Sequence, residues 1–193
     1  MPHAPFVPLR VFSCYTMLEG AIEPKAIAKL AKSRGFPAVA LCDRNGLYAA
    51  MAFSDACIGA GVQPIIGAYL SVMRPAAGDG ERSGPPAIDW LALYAQDEAG
   101  YANLCRLVSL AHLSPEAGQD PHVTLDVLAA HHEGLLCLSG AAEGALARLF
   151  AEGQDGAARA YAERLAAIFP SRLYIELARR GDAVEEMAEA ALI

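Results

Sequence analysis

PKAIAKLAKSRGFPAVALCDRNGLYAAMAFSDACIGAGVQPIIGAYLSV, residues 24–72, decides the fold. Pro24 suits the first turn of a helix, Ile27, Leu30, Ala31 and Arg34 follow at three- and four-residue spacing, and Gly35 supplies the left-handed stop. AVALC (38–42) is then an apolar run of strand length, a second helix is expected from about Gly46 to Gly59, and QPIIGAYLSV (63–72) reads as another strand. Helix and strand therefore alternate.

The alternation extends outward in both directions. VPLRVF (7–12) precedes it as a first strand; IDWLALYA (88–95), GLLCLSG (134–140) and RLYIELA (172–178) follow as later ones. Helical patterns run through 97–112, 124–131, 142–151, 154–168 and 182–193. Repeated βα order predicts an α/β domain with a mostly parallel sheet covered by helices, either open or closed into a barrel. The Gly-, Pro- and charge-rich stretch 74–87 is expected to be a flexible loop within one domain spanning 1–193.

Composition narrows the class. Hydrophobic residues make up 54% and charged ones 19%, enough apolar material for a core. The 15 basic and 22 acidic residues leave a formal charge of -7, the wrong sign for a surface that grips nucleic acid throughout. Cys14, Cys42, Cys57, Cys105 and Cys137 form no CxxC pair and read as reduced core thiols. No signal peptide or membrane-length apolar run is present, so a cytoplasmic protein with no membrane partner is expected. The last residues, VEEMAEAALI (184–193), read as an uncapped helix, as expected of a fragment of a longer chain.

In a parallel sheet, functional groups gather at the carboxyl ends of strands. Those ends carry Phe12, Ser13, Cys14, Tyr15 and Glu19; Asp43, Arg44 and Asn45; Tyr69; Ser139; and Arg179 and Arg180. Arginines and carboxylates are thereby expected on one rim. His3, His112, His122, His131 and His132 lack metal-ligand spacing and are expected at the surface or at helix ends. Ser139 and Gly140 lack the surrounding pattern of a hydrolase elbow, and Gly59, Gly61 and Gly67 form no phosphate-cradling loop.

FVPLRVFSCYTMLEGAIEPKAIAKLAKSRGFPAVALCDRNGLYAAMAFSDACIGAGVQPIIGAYLSV (6–72) resembles the opening of bacterial DNA polymerase III alpha subunits of the replicative type. The resemblance continues through LALYAQDEAGYANLCRLVSLAHL (91–113), EGLLCLSGA (133–141) and YIELARRG (174–181). It implies the N-terminal polymerase-and-histidinol-phosphatase (PHP) domain of that family, a distorted (βα)7 barrel, here truncated before its last elements.

The resemblance also implies a dismantled metal site. Metal-competent members carry ligands where this chain has Phe12, Cys14 and Glu19 after the first strand, and Thr-Asp-His where it has Cys42, Asp43 and Arg44. Further ligand positions hold Tyr69, Ala141 and Arg180, and a last Asp-x-His motif would fall beyond Ile193. No metal is expected, and no catalytic residue. Phosphoester hydrolysis needs neutral imidazoles and carboxylates converging on metal ions. Arg44 and Arg180 are expected to balance Glu19, Asp43 and Glu176 by bidentate pairing, the alternative being that both point into solvent. Cys14 is expected to fill the vacated pocket as a small apolar side chain.

The function implied by resemblance is a structural and partner-docking domain of a DNA-directed DNA polymerase that requires Mg2+ elsewhere in the parent protein. Implied partners are the remainder of the alpha subunit, a separate proofreading exonuclease subunit, and DNA through the parent polymerase. The competing readings are an active metal-dependent phosphoesterase or 3'-5' exonuclease, the same domain of an error-prone alpha paralogue, and a module that receives phosphate between Arg44 and Arg180.

Overall fold

The computed structural model describes residues 4–75, 87–116 and 118–193. Most of the expected loop 74–87 lies outside the described residues; at its base, the Arg74 amide donates to the Ala87 carbonyl at 2.8 Å.

The elements follow the sequence reading closely. In chain order they are α1 (Pro24–Ser33), β1 (Ala38–Arg44), α2 (Ala50–Ala60), β2 (Gln63–Met73), β3 (Ile88–Ala95), α3 (Glu98–Leu113), α4 (Leu125–Ala130) and β4 (Leu135–Leu138). A 3-10 turn at Ala141–Glu143 leads into α5 (Ala145–Ala151), α6 (Asp155–Ile168), β5 (Leu173–Tyr174) and α7 (Ala183–Leu192). Asp97 caps α3 by accepting from the Gly100 amide, and Thr124 caps α4 by accepting from Val127. Gly61, at φ 72°, closes α2.

The five strands form one sheet in the order β1-β2-β3-β4-β5, open between β1 and β5 among the described residues. The expectation of a mostly parallel sheet needs correction. β1 with β2 and β4 with β5 are parallel, whereas β3 runs antiparallel to both of its neighbours. Strand and helix periods carry no direction, and antiparallel neighbours need no helical crossover.

The expected strand at 7–12 also needs correction. It forms no ladder, but Pro8 and Val11 each accept one hydrogen bond from β1, through the Ala40 and Cys42 amides. Pro8 removes a donor from this stretch, so it lies beside the edge of β1 without a regular pairing.

Period-two alternation divides the core. Leu70, Val72, Leu91 and Leu93 face α3 to α6 and pack with Leu104, Leu107, Leu128, Leu165 and Phe169. Val39 and Leu41 of β1 pack against Ile27 and Phe53 of α1 and α2. The intervening residues Ala40, Cys42, Tyr69, Ala92, Tyr94 and Leu138 share the other face, covered by Leu9 and Phe12 of the N-terminal segment. That inner face carries the candidate site. Among the described residues, no helix is long and apolar enough to cross a membrane.

Candidate functional site: an arginine and carboxylate cluster on the inner face

The β1–β2 register sets Arg44 directly beside Tyr69. Tyr69 is fully buried, stacks on Trp90 at 5.1 Å between ring centroids, and lies 5.9 Å from the Phe12 ring. Its hydroxyl donates to the Gly140 carbonyl at 2.9 Å. Gly140 is required there: its φ is 86°, and a Cβ would stand 2.0 Å from the Trp90 carbonyl oxygen.

Two guanidinium groups lie over this aromatic floor. Arg10 is 3.9 Å from the Tyr69 centroid, and Arg44 is 4.4 Å from that of Trp90 and 5.0 Å from that of Tyr69. Arg44 donates from Nε and Nη2 to Glu19, at 3.0 and 2.9 Å, and from Nη2 to Glu143 at 2.7 Å. Arg10 donates from Nη1 to both oxygens of Glu176, at 3.0 and 2.8 Å, and pairs with Glu143 at 3.6 Å. Glu143 is therefore shared. Burial works to lower both arginine pKa values. Tyr69 and Glu176 outweigh it at Arg10, as the hydrogen bonds that Arg44 donates to Glu19 and Glu143 do at Arg44, and both end above the ordinary value.

Asp43 is organised differently. It is 1% exposed and accepts from the Ser13 amide and hydroxyl, each at 2.7 Å, and from the Thr16 hydroxyl at 2.8 Å. Neutral donors thus occupy both of its oxygens, and the carboxylate pins the 13–20 loop to the end of β1. Gly20 completes that loop, since a Cβ there would lie 1.8 Å from the Ser13 carbonyl oxygen.

The sequence-derived positions are only partly brought together. Phe12, Glu19, Arg44 and Tyr69 meet in the cluster, and Ala141 is buried in the 3-10 turn that carries Glu143. Arg180 is elsewhere: its side chain is 65% exposed and pairs with Glu185 of α7 at 3.0 Å. Asp43 does not pair with an arginine as expected. Cys14 is exposed rather than filling the pocket. Cys42, Cys57 and Cys137 are core thiols as read, whereas Cys105 is half-buried. His122 is buried, not superficial, with Nδ1 2.8 Å from the Asp120 carbonyl oxygen.

Arg10 and Glu143 escaped the sequence reading. The signal for Arg10 was a lone charge inside LRVF at the rim of the domain; Glu143 had none. A second cluster was also missed: buried Asp89 at the start of β3 pairs with Arg74 at 2.7 Å and Arg148 at 3.1 Å.

The PHP domain model matches residues 8–180 of the chain. This chain belongs to the PHP domain family. Within that family it is similar to DNA polymerase III alpha subunits. It is 40% identical to that of Caulobacter vibrioides (strain NA1000 / CB15N), over 97% of this chain and 16% of the relative. The corresponding subunit of Escherichia coli (strain K12) is 34% identical, over 94% and 15%. That of Pseudomonas fluorescens is 31% identical, over 91% and 14%. The chain thus spans about one-sixth of the length of the Caulobacter relative.

The PHP-type α/β fold implied by the resemblance is the fold of this chain, with its sheet open at β1 and β5. The donor set on its inner face does not fit a metal centre. Among the described residues, no group of three or more His, Cys, Asp and Glu side chains converges to hold an ion. Glu19, Glu143 and Glu176 converge instead on two guanidinium groups.

Proposed function

We propose that this PHP domain is part of a DNA polymerase III alpha subunit and serves there as a structural and docking domain without phosphoesterase activity. Its ancestral metal-site positions are Phe12, Cys14, Glu19, Asp43, Arg44, Tyr69, Ala141 and Arg180. The observation that carries the proposal is the occupation of the carboxylate cluster by the Arg10 and Arg44 guanidinium groups. A fixed organic cation neutralises the acids that a metal would otherwise recruit, and it cannot ionise a bound water.

The parent polymerase would extend a primer under template direction with Mg2+ in a separate domain. Its partners would be DNA, the rest of the alpha subunit and a proofreading exonuclease subunit, in the cytoplasm. Similarity to named alpha subunits over most of this chain supports that assignment. The phosphate-binding alternative loses its basis, because Arg44 and Arg180 pair with different acids.

Elemental analysis of protein purified without chelator, paired with hydrolysis of a generic phosphodiester in added zinc or manganese, tests the proposal. Sub-stoichiometric metal and no turnover are expected. Stoichiometric metal with turnover would overturn it and revive the exonuclease reading.

A further inference from the structure

The sheet ends at β1, whose outer edge hydrogen-bonds to Pro8 and Val11 of the N-terminal segment, and at β5, and no backbone pairing joins β1 to β5 among the described residues. Charge pairs stand in that place. On one side, Arg44 ends β1 and Arg10 lies in the segment that hydrogen-bonds to β1. On the other, Glu176 lies two residues beyond β5, its amide donating to Ser139 Oγ at 2.9 Å. Glu19, Arg44, Glu143, Arg10 and Glu176 form one alternating series, with successive separations of 2.9, 2.7, 3.6 and 2.8 Å.

We propose that this series is a clasp across the open side of the sheet, coupling the 13–20 loop to the segment 174–182. It goes beyond the scaffold reading, since a domain without metal need have no such coupling. At one end, Glu19 belongs to a loop whose tip, Met17 and Leu18, is exposed, with Leu18 held at φ 72°. At the other, the chain continues from Glu176 to Arg180, whose amide donates to Glu185 of α7 at 2.9 Å.

The mechanism lies in the shared acid. Glu143 holds Arg44 at 2.7 Å and Arg10 at 3.6 Å, so the second contact is the weak link. Without the Glu19 charge, Arg44 draws Glu143 toward itself and away from Arg10, so the Arg10–Glu176 pair loses its tie to the 3-10 turn and moves more freely with 174–182. Both guanidinium groups rest on Tyr69, and Tyr69 is tied to Gly140 immediately before the turn that bears Glu143. The floor therefore limits how either group can move independently. Half-buried charges are screened by salt less than surface ones, which allows the effect to travel along the series.

Amide hydrogen exchange of the full chain tests the coupling. Glu19→Gln is expected to accelerate exchange in 174–182 by about two- to thirtyfold, the range expected for a network residue remote from the segment read. Glu176→Gln should accelerate exchange in 13–20 by a similar factor, because coupling between sites is reciprocal. Exchange in α3, which carries none of the five residues, should stay unchanged. The clasp is overturned if each substitution affects only its own segment, or if α3 accelerates together with both. Should Glu176→Gln fail to fold, Glu19→Gln on its exposed loop decides alone: acceleration at 174–182 supports the clasp, and its absence overturns it. Metal content does not enter this readout, so the clasp and the scaffold reading fail independently.

Discussion

One guanidinium nitrogen of Arg10 donates to both carboxylate oxygens of Glu176, at 3.0 and 2.8 Å, although 166 residues separate them. Both side chains are largely withdrawn from solvent, and the Arg10 Nε is buried with no partner among the described residues. The guanidinium thus trades one unsatisfied donor for a half-buried ion pair and the face of Tyr69.

Arg10→Ala is expected to destabilise the domain by about 2–3 kcal/mol, because Glu176 keeps its desolvation and loses its cation. For a chain of this size the melting temperature should fall by about 4–12 °C in a thermal denaturation scan. Arg10→Lys should recover only part of the loss, since an ammonium cannot reproduce the planar stack on Tyr69. An unchanged melting temperature in Arg10→Ala would show that the pair contributes nothing net.

Arg44 can be followed optically, because Trp90, 4.4 Å beneath its guanidinium, is the single tryptophan of the chain. Arg44→Ala should shift Trp90 emission to longer wavelength as water reaches the indole face. It should also lower stability by about 1–2 kcal/mol, the scale of a partly desolvated cation–aromatic contact with its hydrogen bonds. Arg180→Ala should leave the emission unchanged, since Arg180 pairs with Glu185 on α7.

Asp43 holds the loop after the first segment through three neutral donors. Asp43→Ala strands the Ser13 amide and hydroxyl and the Thr16 hydroxyl, at an expected cost of about 2–4 kcal/mol. Limited proteolysis should then cut within 13–20 faster than elsewhere. Asp43→Asn keeps one acceptor oxygen and should lose less.

Burial pushes the Cys42 thiol up to about 12 from 9.0 and the Cys57 thiol up to about 11. A raised thiol pKa means that the folded state holds its proton longer than the unfolded chain. That contribution is fully present below pH 9.0 and is lost as pH climbs toward the folded values. The urea midpoint should therefore fall between pH 9 and 11, and Cys42→Ala should flatten the fall. In native protein at neutral pH, a thiol reagent should modify exposed Cys14 and spare buried Cys42, Cys57 and Cys137.

The element order was legible because each helix and strand advertises itself locally. Pro24 and Gly61 mark helix ends, and alternation in QPIIGAYLSV separates an outer Leu70 from an inner Tyr69. The pairing of Arg44 with Glu19 was legible for a related reason: both stand at ligand positions of the family pattern, Glu19 after the 7–12 segment and Arg44 at the end of β1. Arg10 was not, since one arginine in an apolar run is equally consistent with a solvent-facing charge. Only its place over Tyr69 distinguishes it.

The sequence by itself determined the α/β class, nearly every element and the resemblance to the PHP domain family. Those properties follow from residue type and short-range spacing. The tertiary structure alone decided that β3 runs against its neighbours, that Arg180 joins α7, and that Glu143 and Glu176 meet Arg10 across the sheet's open side. Strand direction and charge pairing over 166 residues depend on how the whole chain packs, and no local period encodes them.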